Sequence, residues 1–229
     1  MLTDRESQIL STLATLRFMT TQQIHRLHGY AGDYGLKVTR RLLGKLEREG
    51  LVHAWQPSRY EQKIYYLTRL GARTLAFCCG WDQVPTFRKS DKSVHQTYVS
   101  EIYVALKSWN GGPAWHFSLN QKYGDVVPDA SVYFEKEDRP HVVFAEVDLG
   151  NESMLYLRDV KLERYARTFN RTSSAPERRS IVFLTPHENR KQALLRLISS
   201  YPLPVSAASF EELGMNPGLL LEGMPRQTP

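Results

Sequence analysis

Three carboxylates sit in stretches that otherwise read as buried strand. Asp129 follows Pro128 within the run 126–134, and Glu146 and Asp148 end the apolar run 141–148. Glu146 and Asp148 are two apart, so in an extended chain they share a face. A buried carboxylate is costly unless it is paired or holds a metal. Adjacent strands would bring Asp129 and Glu146 together. Two such carboxylates can hold a divalent ion, Mg2+ or Mn2+, which activates water against a phosphodiester. The bland alternative needs no ion: Asp148 caps the turn before the next helix, and Glu146 pairs with Lys161 or Arg158.

A second stretch, 36–50, has the residues for nucleic-acid binding. Val38, Leu42 and Leu46 recur at i, i+4 and i+8, with Leu43 on the flank, as in one apolar stripe of a helix. Lys37, Arg40, Arg41, Gly44, Lys45 and Arg48 lie off that stripe. Gly50 stands where a C′ glycine usually ends a helix. A helix packed on one side and cationic on the other suits a phosphate-lined major groove. An ordinary solvated basic helix has the same local pattern, and the charge balance separates the two. The chain has 229 residues and a net charge of +6. Residues 1–80 hold twelve Lys/Arg against six Asp/Glu, whereas residues 81–229 hold eighteen of each. The whole cationic excess lies in the first third, which points to double-stranded DNA as the partner there.

The elements around these residues follow from pattern. Thr3 and Glu6 form a capping box, and Ile9, Leu10, Leu13 and Leu16 mark the first helix. Thr20 opens a second helix with Ile24 and Leu27 inward. The turn-rich segment 29–35 leads to the basic helix. Strands at 51–55 and 63–67 then flank a polar tip carrying Arg59 and Lys63, and Thr68 caps a helix over 69–79. Three helices, a hairpin and a closing helix predict a winged helix-turn-helix over 1–80. Its DNA contacts would come from Lys37, Arg40, Arg41, Lys45, Arg48, Arg59 and Lys63. His25 and His28 are three apart with no third ligand at metal spacing, so they read as packing or surface residues.

Residues 80–92 lack a consistent period and read as a linker. A helix over 93–109 is followed by strands at 114–119, 126–134 and 141–148, with a charged turn at 135–140. A helix over 154–170 with Leu155, Leu157, Leu162 and Tyr165 inward, a loop at 171–179, a strand at 180–184 and a helix near 189–200 complete the pattern. This order predicts an α/β domain over 93–205 with a mixed central sheet, so the fold class is α+β. Residues 206–229, rich in Gly and Pro from Gly214 on, are expected to form a mobile tail.

The only cysteines, Cys78 and Cys79, are adjacent, and adjacent residues rarely pair. That predicts reduced thiols and a cytoplasmic protein. The first residues lack a signal-peptide apolar region, and no run reaches the ~18 apolar residues of a membrane span, so no membrane partner is expected. Winged-helix proteins often pair, which makes a homodimer one expected state, although no heptad run specifies how.

Pro128-Asp129 followed by Glu146-Val147-Asp148 resembles the PD-(D/E)xK nuclease fold, which places Asp and then Glu-x-Lys on a hairpin after a first helix. Here Asp148 stands where the lysine belongs. The resemblance implies that Lys161, on the following helix, supplies the cation that orients water, and that Glu101 is a further metal-side carboxylate. More of the chain is similar to the replication-relaxation family of plasmids and mobile elements. The matching stretches are 2–10, 17–24, Thr39-Arg-Arg-Leu-Leu43, Glu49-Gly-Leu51, Tyr66-Leu-Thr-Arg-Leu-Gly71, His95, Val127-Pro-Asp-Ala130, 145–153 and Lys161-Leu-Glu-Arg-Tyr165. This likeness implies a DNA-binding winged helix joined to a nuclease-like domain, acting in plasmid replication or DNA relaxation.

Two readings stay open. One is a DNA-binding replication or regulatory factor with a non-catalytic nuclease-like domain. The other is a metal-dependent DNA endonuclease or nickase, with Asp129 and Glu146 as Mg2+ ligands, Asp148 and Glu101 as further acidic candidates, and Lys161 as the cation. A third, an adaptor docking through Leu219-Leu-Leu221, has no feature that raises it above these.

Overall fold

The computed structural model describes residues 2–30, 32–135, 139–171 and 177–222, without the side chains of Asp33 and Glu222. The chain is an α+β protein that divides into two compact units, Met1–Ser108 and Trp109–Pro229. No helix among the described residues is long and apolar enough to cross a membrane.

The first unit begins with α1 (Asp4–Leu16), β1 (Met19–Thr20), α2 (Thr21–His28) and α3 (Gly32–Arg48). It continues with β2 (Val52–Trp55), β3 (Ile64–Leu67), α4 (Arg69–Cys79) and α5 (Ser93–Lys107). Capping fixes the helix starts. Thr3 with Glu6 and Thr20 with Gln23 each form a reciprocal box, and Thr68 accepts from the Gly71 amide. Gly50 adopts φ 69°, and the Leu51 amide donates back to the Leu46 carbonyl, which ends α3 and turns the chain into β2. The three strands form an antiparallel sheet in the order β1-β3-β2. Helix–strand–helix–helix–hairpin with this strand order is the winged-helix arrangement. Ile9, Leu10, Leu13 and Leu16 of α1, Leu43 and Leu46 of α3, Ile64 and Leu67 of β3, and Leu75 of α4 are its buried residues.

Helix α5, expected to open the second domain, packs within the first unit against α2 and β1. Ser100, fully buried, has its hydroxyl within hydrogen-bond reach of Phe18 O at 2.8 Å, of Gln96 O at 3.0 Å in its own helix and of Leu16 O, at the end of α1, at 3.2 Å. Gln23 of α2 donates to Thr97 O at 2.8 Å. These bonds tie α5 to α2 and to the segment between α1 and β1. Polar positions on α5, which carry no hydrophobic period, therefore set where the first unit stops.

The second unit has one five-stranded sheet in the order β4-β5-β6-β7-β8. The strands are β4 (Trp115–Leu119), β5 (Ala130–Phe134), β6 (His141–Val147), β7 (Arg178–Thr185) and β8 (Val205–Ser209). The pairs β4–β5 and β5–β6 are antiparallel, and β6–β7 and β7–β8 are parallel, so the sheet is mixed as expected. Strand β5 starts at Ala130 rather than at 126: Val126 instead bridges Tyr123, and the chain enters the ladder only after Pro128, which cannot donate to it.

One face of the sheet presents Phe144 of β6 and Ile181 and Phe183 of β7. It is covered by α6 (Met154–Tyr156), a π-helical segment (Leu157–Leu162), α7 (Glu163–Arg171) and α8 (Glu188–Ile198), with Leu157, Leu162, Tyr165, Leu194 and Ile198 in one cluster. The expected single helix over 154–170 is thus interrupted by a π turn. Leu157 and Leu162, five apart, are both fully buried, which the wider i→i+5 turn permits. Leu155, expected inward, is 63% exposed.

The expected tail is a correction. Residues 205–209 form the last strand, paired in parallel with β7, and are followed by α9 (Phe210–Met215) and α10 (Leu219–Glu222). Ala208, Leu213 and Leu220 are buried, and a capping box of Ser209 and Glu212 starts α9. A small-residue strand such as Val-Ser-Ala-Ala-Ser lacks the apolar alternation that marks a strand in sequence, so only the ladder reveals it. Residues 136–138 of the charged turn, 172–176 of the predicted loop and 223–229 of the predicted tail lie outside the described residues.

Candidate nucleic-acid interface and carboxylate cluster

Helix α3 is rotated from the expected orientation. Its buried positions are Gly35, Thr39, Leu43 and Leu46, while Val38 and Leu42 are half-buried. The short side of the helix faces α2, where Thr39 donates to Gly35 O at 3.0 Å and hydrogen-bonds the His25 ring at 3.2 Å. Large residues do not fit that contact, so a polar residue takes the inner position and the stripe turns toward Leu43. Val38 and Leu42 instead line a cavity of about 730 Å³ with Arg5, Tyr30 and Arg41, Arg5 lying over the Tyr30 ring at 3.7 Å.

The side of α3 opposite Thr39, Leu43 and Leu46 carries Lys37, Arg41, Gly44 and Arg48, by the 3.6-residue repeat. Lys37, Arg40, Arg41 and Arg48 are exposed, and none is in an ion pair among the described residues. Lys45 differs. Its Nζ lies 2.6 Å from Glu6 Oε1 in α1, a carboxylate 2% exposed, and 3.7 Å from Glu49. Burial pushes the Glu6 carboxyl up, but the Lys45 ammonium and the Thr3 amide and hydroxyl outweigh it and hold it below the usual value. Lys45, expected to face DNA, is thus a tie between α1 and α3.

The hairpin tip is exposed. Arg59 stacks over the Tyr60 ring at 4.5 Å, and Tyr60 is 82% exposed. Lys63 lies 3.5 Å from Glu47 of α3, an exposed and weak pair that leaves its amine near solvent. Gln62 accepts from the Gln22 amide at 3.0 Å, which ties the hairpin to the start of α2. A cleft of about 430 Å³ runs between these elements, with Arg40, Lys63, Glu47, Glu61, Gly44 and Tyr60 among its lining residues.

In the second unit, the register that pairs Ala130 with Ala145 puts Asp129 opposite Glu146. Asp129 Oδ2 accepts from the Val147 amide at 2.9 Å. Glu146 lies on the face covered by the π segment and α7, 3% exposed, and both of its oxygens are engaged. Tyr165 donates to Oε1 at 2.5 Å and Lys161 to Oε2 at 3.1 Å. Lys161 also donates to Glu152 Oε2 at 3.0 Å. Lys161 and Tyr165 are four apart across the end of the π segment and so reach the same carboxylate.

Burial pushes the Glu146 carboxyl up to about 7, with Lys161 and Tyr165 opposing it and the Asp129 charge adding to it. Burial would depress the Lys161 ammonium, but Glu146 and Glu152 more than reverse that and hold it above the ordinary lysine value. Burial and then the Glu146 charge push the Tyr165 phenol well up. The phenol therefore stays a donor, and Lys161 stays charged.

Asp148 takes part differently. Its Oδ2 accepts from Arg190 Nε of α8 at 2.8 Å, and its Oδ1 accepts from the Gly150 amide at 2.7 Å, closing the turn after β6. Arg190 reaches on to Glu152 O at 2.5 Å. One bonded chain therefore runs Tyr165–Glu146–Lys161–Glu152–Arg190–Asp148. The bland alternatives drawn from sequence, Asp148 at the turn and Glu146 with Lys161, are the contacts present. Arg158 pairs instead with Asp159.

Glu101 lies on α5 in the first unit, where Oε2 accepts from Gln23 at 2.9 Å and Oε1 from Arg26, so the carboxylate is engaged there. His95 is also on α5, and His116 is an exposed residue of β4 beside Glu135. Among the described residues, no three His, Cys, Asp or Glu side chains converge in a geometry that could hold a metal. With both Glu146 oxygens held by donors and one of them a cation, the donor set does not fit a divalent ion. Tyr165, Glu152 and Arg190 are the members that sequence reasoning missed. The run Lys161-Leu-Glu-Arg-Tyr165 held the one usable signal, a Lys and a Tyr at i, i+4.

A sequence model of a family described as Replication-relaxation matches residues 10–182 of this chain. The chain belongs to the replication-relaxation family. The match runs from the middle of α1 into β7 and so takes in both the basic face of α3 and the Asp129–Glu146 pair. No curated protein compared with the chain matches it. Among solved structures, the restriction endonuclease FokI bound to DNA is similar at 13% identity and a TM-score of 0.34, over 96% of this chain and 44% of that one. FokI on its own is similar at 14% identity and a TM-score of 0.32, over 97% and 45%. The chain spans less than half the length of either, and TM-scores this low do not establish a common fold.

Proposed function

We propose that this replication-relaxation protein binds double-stranded DNA through α3 and the hairpin tip. Its role is in replication or DNA processing of a plasmid or mobile element, or in their regulation, and its second unit is a nuclease-like domain that does not cut. The outward side of α3 carries the reading. Lys37, Arg40, Arg41 and Arg48 are exposed without acidic partners among the described residues, whereas Lys45 is paired with buried Glu6. Four cations along one helix, with Arg59 and Lys63 on the hairpin beside it, suit a groove lined with phosphates. The cluster around Glu146 supports the non-cutting half, because its lysine is held between two carboxylates.

Duplex binding measured against salt tests the first half. Release of counterions from several phosphates makes log K fall steeply with log salt, and Arg40→Ala with Arg41→Ala should flatten that fall by about two units of slope. A flat salt response in the unaltered protein removes the reading.

A second reading, a metal-dependent endonuclease or nickase, draws on Asp129 standing opposite Glu146 with a lysine amine at 3.1 Å. Supercoiled plasmid incubated with Mg2+ or Mn2+ decides between them. Nicking that Glu146→Gln abolishes favours the enzyme, and intact plasmid under both metals favours the binding protein.

A further inference from the structure

Gly44 stands inside α3, four residues before its end, and among the described residues no close approach or positive φ calls for a glycine there. After proline, glycine is the least favourable residue in a helix interior. The other glycines of the first unit have internal reasons. A Cβ on Gly29, Gly35 or Gly71 would come within 2.0 Å of a protein atom, and Gly32, Gly50 and Gly80 have positive φ. A Cβ on Gly44 would meet only the Arg48 Nη1 atom, at an ordinary 3.6 Å. Gly44 also lies on the outward side of α3, with Lys37, Arg41 and Arg48 around it and Arg40 at the edge of the same cleft. The acids near it are Glu47, which pairs with Lys63, and Glu61; three of its four neighbours on the helix surface are cations, so this stretch of backbone suits a polyanion that comes closer than a side chain would allow.

We propose that Gly44 is the point where the α3 backbone lies against duplex DNA, so that the size of the residue at 44 sets how deeply the helix seats. This rests on the DNA-binding reading and deepens it: Lys37, Arg41 and Arg48 hold the phosphates, and Gly44 supplies the clearance. A role inside the protein and a role against DNA predict opposite stability effects. If Gly44 serves only contact with DNA, alanine there improves the free helix while weakening the complex.

The test uses the full chain and its Gly44→Ala, Gly44→Leu and Arg41→Ala variants. The probe is a pool of random-sequence duplexes about 30 base pairs long, roughly three helical turns. Melting and fluorescence-anisotropy titrations at several salt concentrations are read together. The expected result is that Gly44→Ala raises Tm by about 2–4 °C and weakens binding roughly tenfold. Gly44→Leu should weaken binding further. Neither should change the salt slope, because neither removes a cation, whereas Arg41→Ala should lower the slope by about one. Wild-type affinity in both Gly44 variants, or a lower Tm in Gly44→Ala, overturns the assignment of Gly44 and leaves the DNA reading standing. An unaltered chain that binds no duplex, or binds without salt dependence, removes the DNA reading and this inference with it.

Discussion

Lys161 holds its amine between two carboxylates, 3.1 Å from Glu146 and 3.0 Å from Glu152, with only a fifth of its side chain exposed. Lys161 remains charged throughout, and Glu146 ionises near pH 7. Below that the pair is cationic, and above it the pair is a neutral ion pair.

The first prediction is a pH dependence of stability. The folded-state pKa of Glu146 is raised from 4.5 to about 7, so the folded protein binds more protons than the unfolded chain between those values. Stability is then highest below the lower value, falls as pH rises through about 7, and is level above it. The fall should be on the order of 1–3 kcal/mol. Urea denaturation at a series of pH values should show it, and Glu146→Gln should remove it.

Loss of the lysine should be worse at high pH. In Lys161→Met, Glu146 stays buried opposite Asp129 with only Tyr165 donating to it. Breaking a buried pair from one side costs about 3–5 kcal/mol when the remaining charge must stay ionised. The expected loss approaches that at pH 8.5 and is much smaller at pH 5, where Glu146 is protonated. Equal losses at both pH values would show that the lysine acts through packing alone.

Two neighbouring cations of α3 should separate stability from binding. Lys45→Ala leaves Glu6 buried without its cation and should lower the melting temperature. Arg41→Ala removes an exposed, unpaired side chain and should leave stability within about 0.5 kcal/mol. Thermal melts of the two variants, set beside their DNA titrations, check the contrast.

The C-terminal elements should prove to be part of the second unit's core. Leu220 of α10 is 1% exposed, and α10 packs against β6. Leu220→Ala should destabilise by about 2–4 kcal/mol, the range for a buried leucine truncated to alanine. A denaturation midpoint unchanged from the unaltered protein would return this segment to a tail.

Much of the first unit is legible in sequence because its signals are local. A capping box needs Thr3 and Glu6 three apart, and a helix end needs Gly50 where the backbone turns left-handed. Both are decided by residues within one turn of each other. The rotation of α3 was not legible. Val38, Leu42 and Leu46 make the better apolar stripe on paper, but the close approach to α2 admits only Gly35 and Thr39. The last strand was equally hidden, since Val-Ser-Ala-Ala-Ser is a strand only because β7 lies beside it.

The sequence by itself determined the order of helices and strands, the cationic excess at one end and the presence of three carboxylates where apolar residues belong. Each of these depends on composition or on neighbours a few residues apart. Only the tertiary structure decided what those carboxylates do. Asp129 meets the β6 backbone through strand register, Glu146 meets Tyr165 and Lys161 through a π turn, and Asp148 meets an arginine forty-two residues away. A buried charge must find its partner in space, and its spacing along the chain does not say which residue that will be.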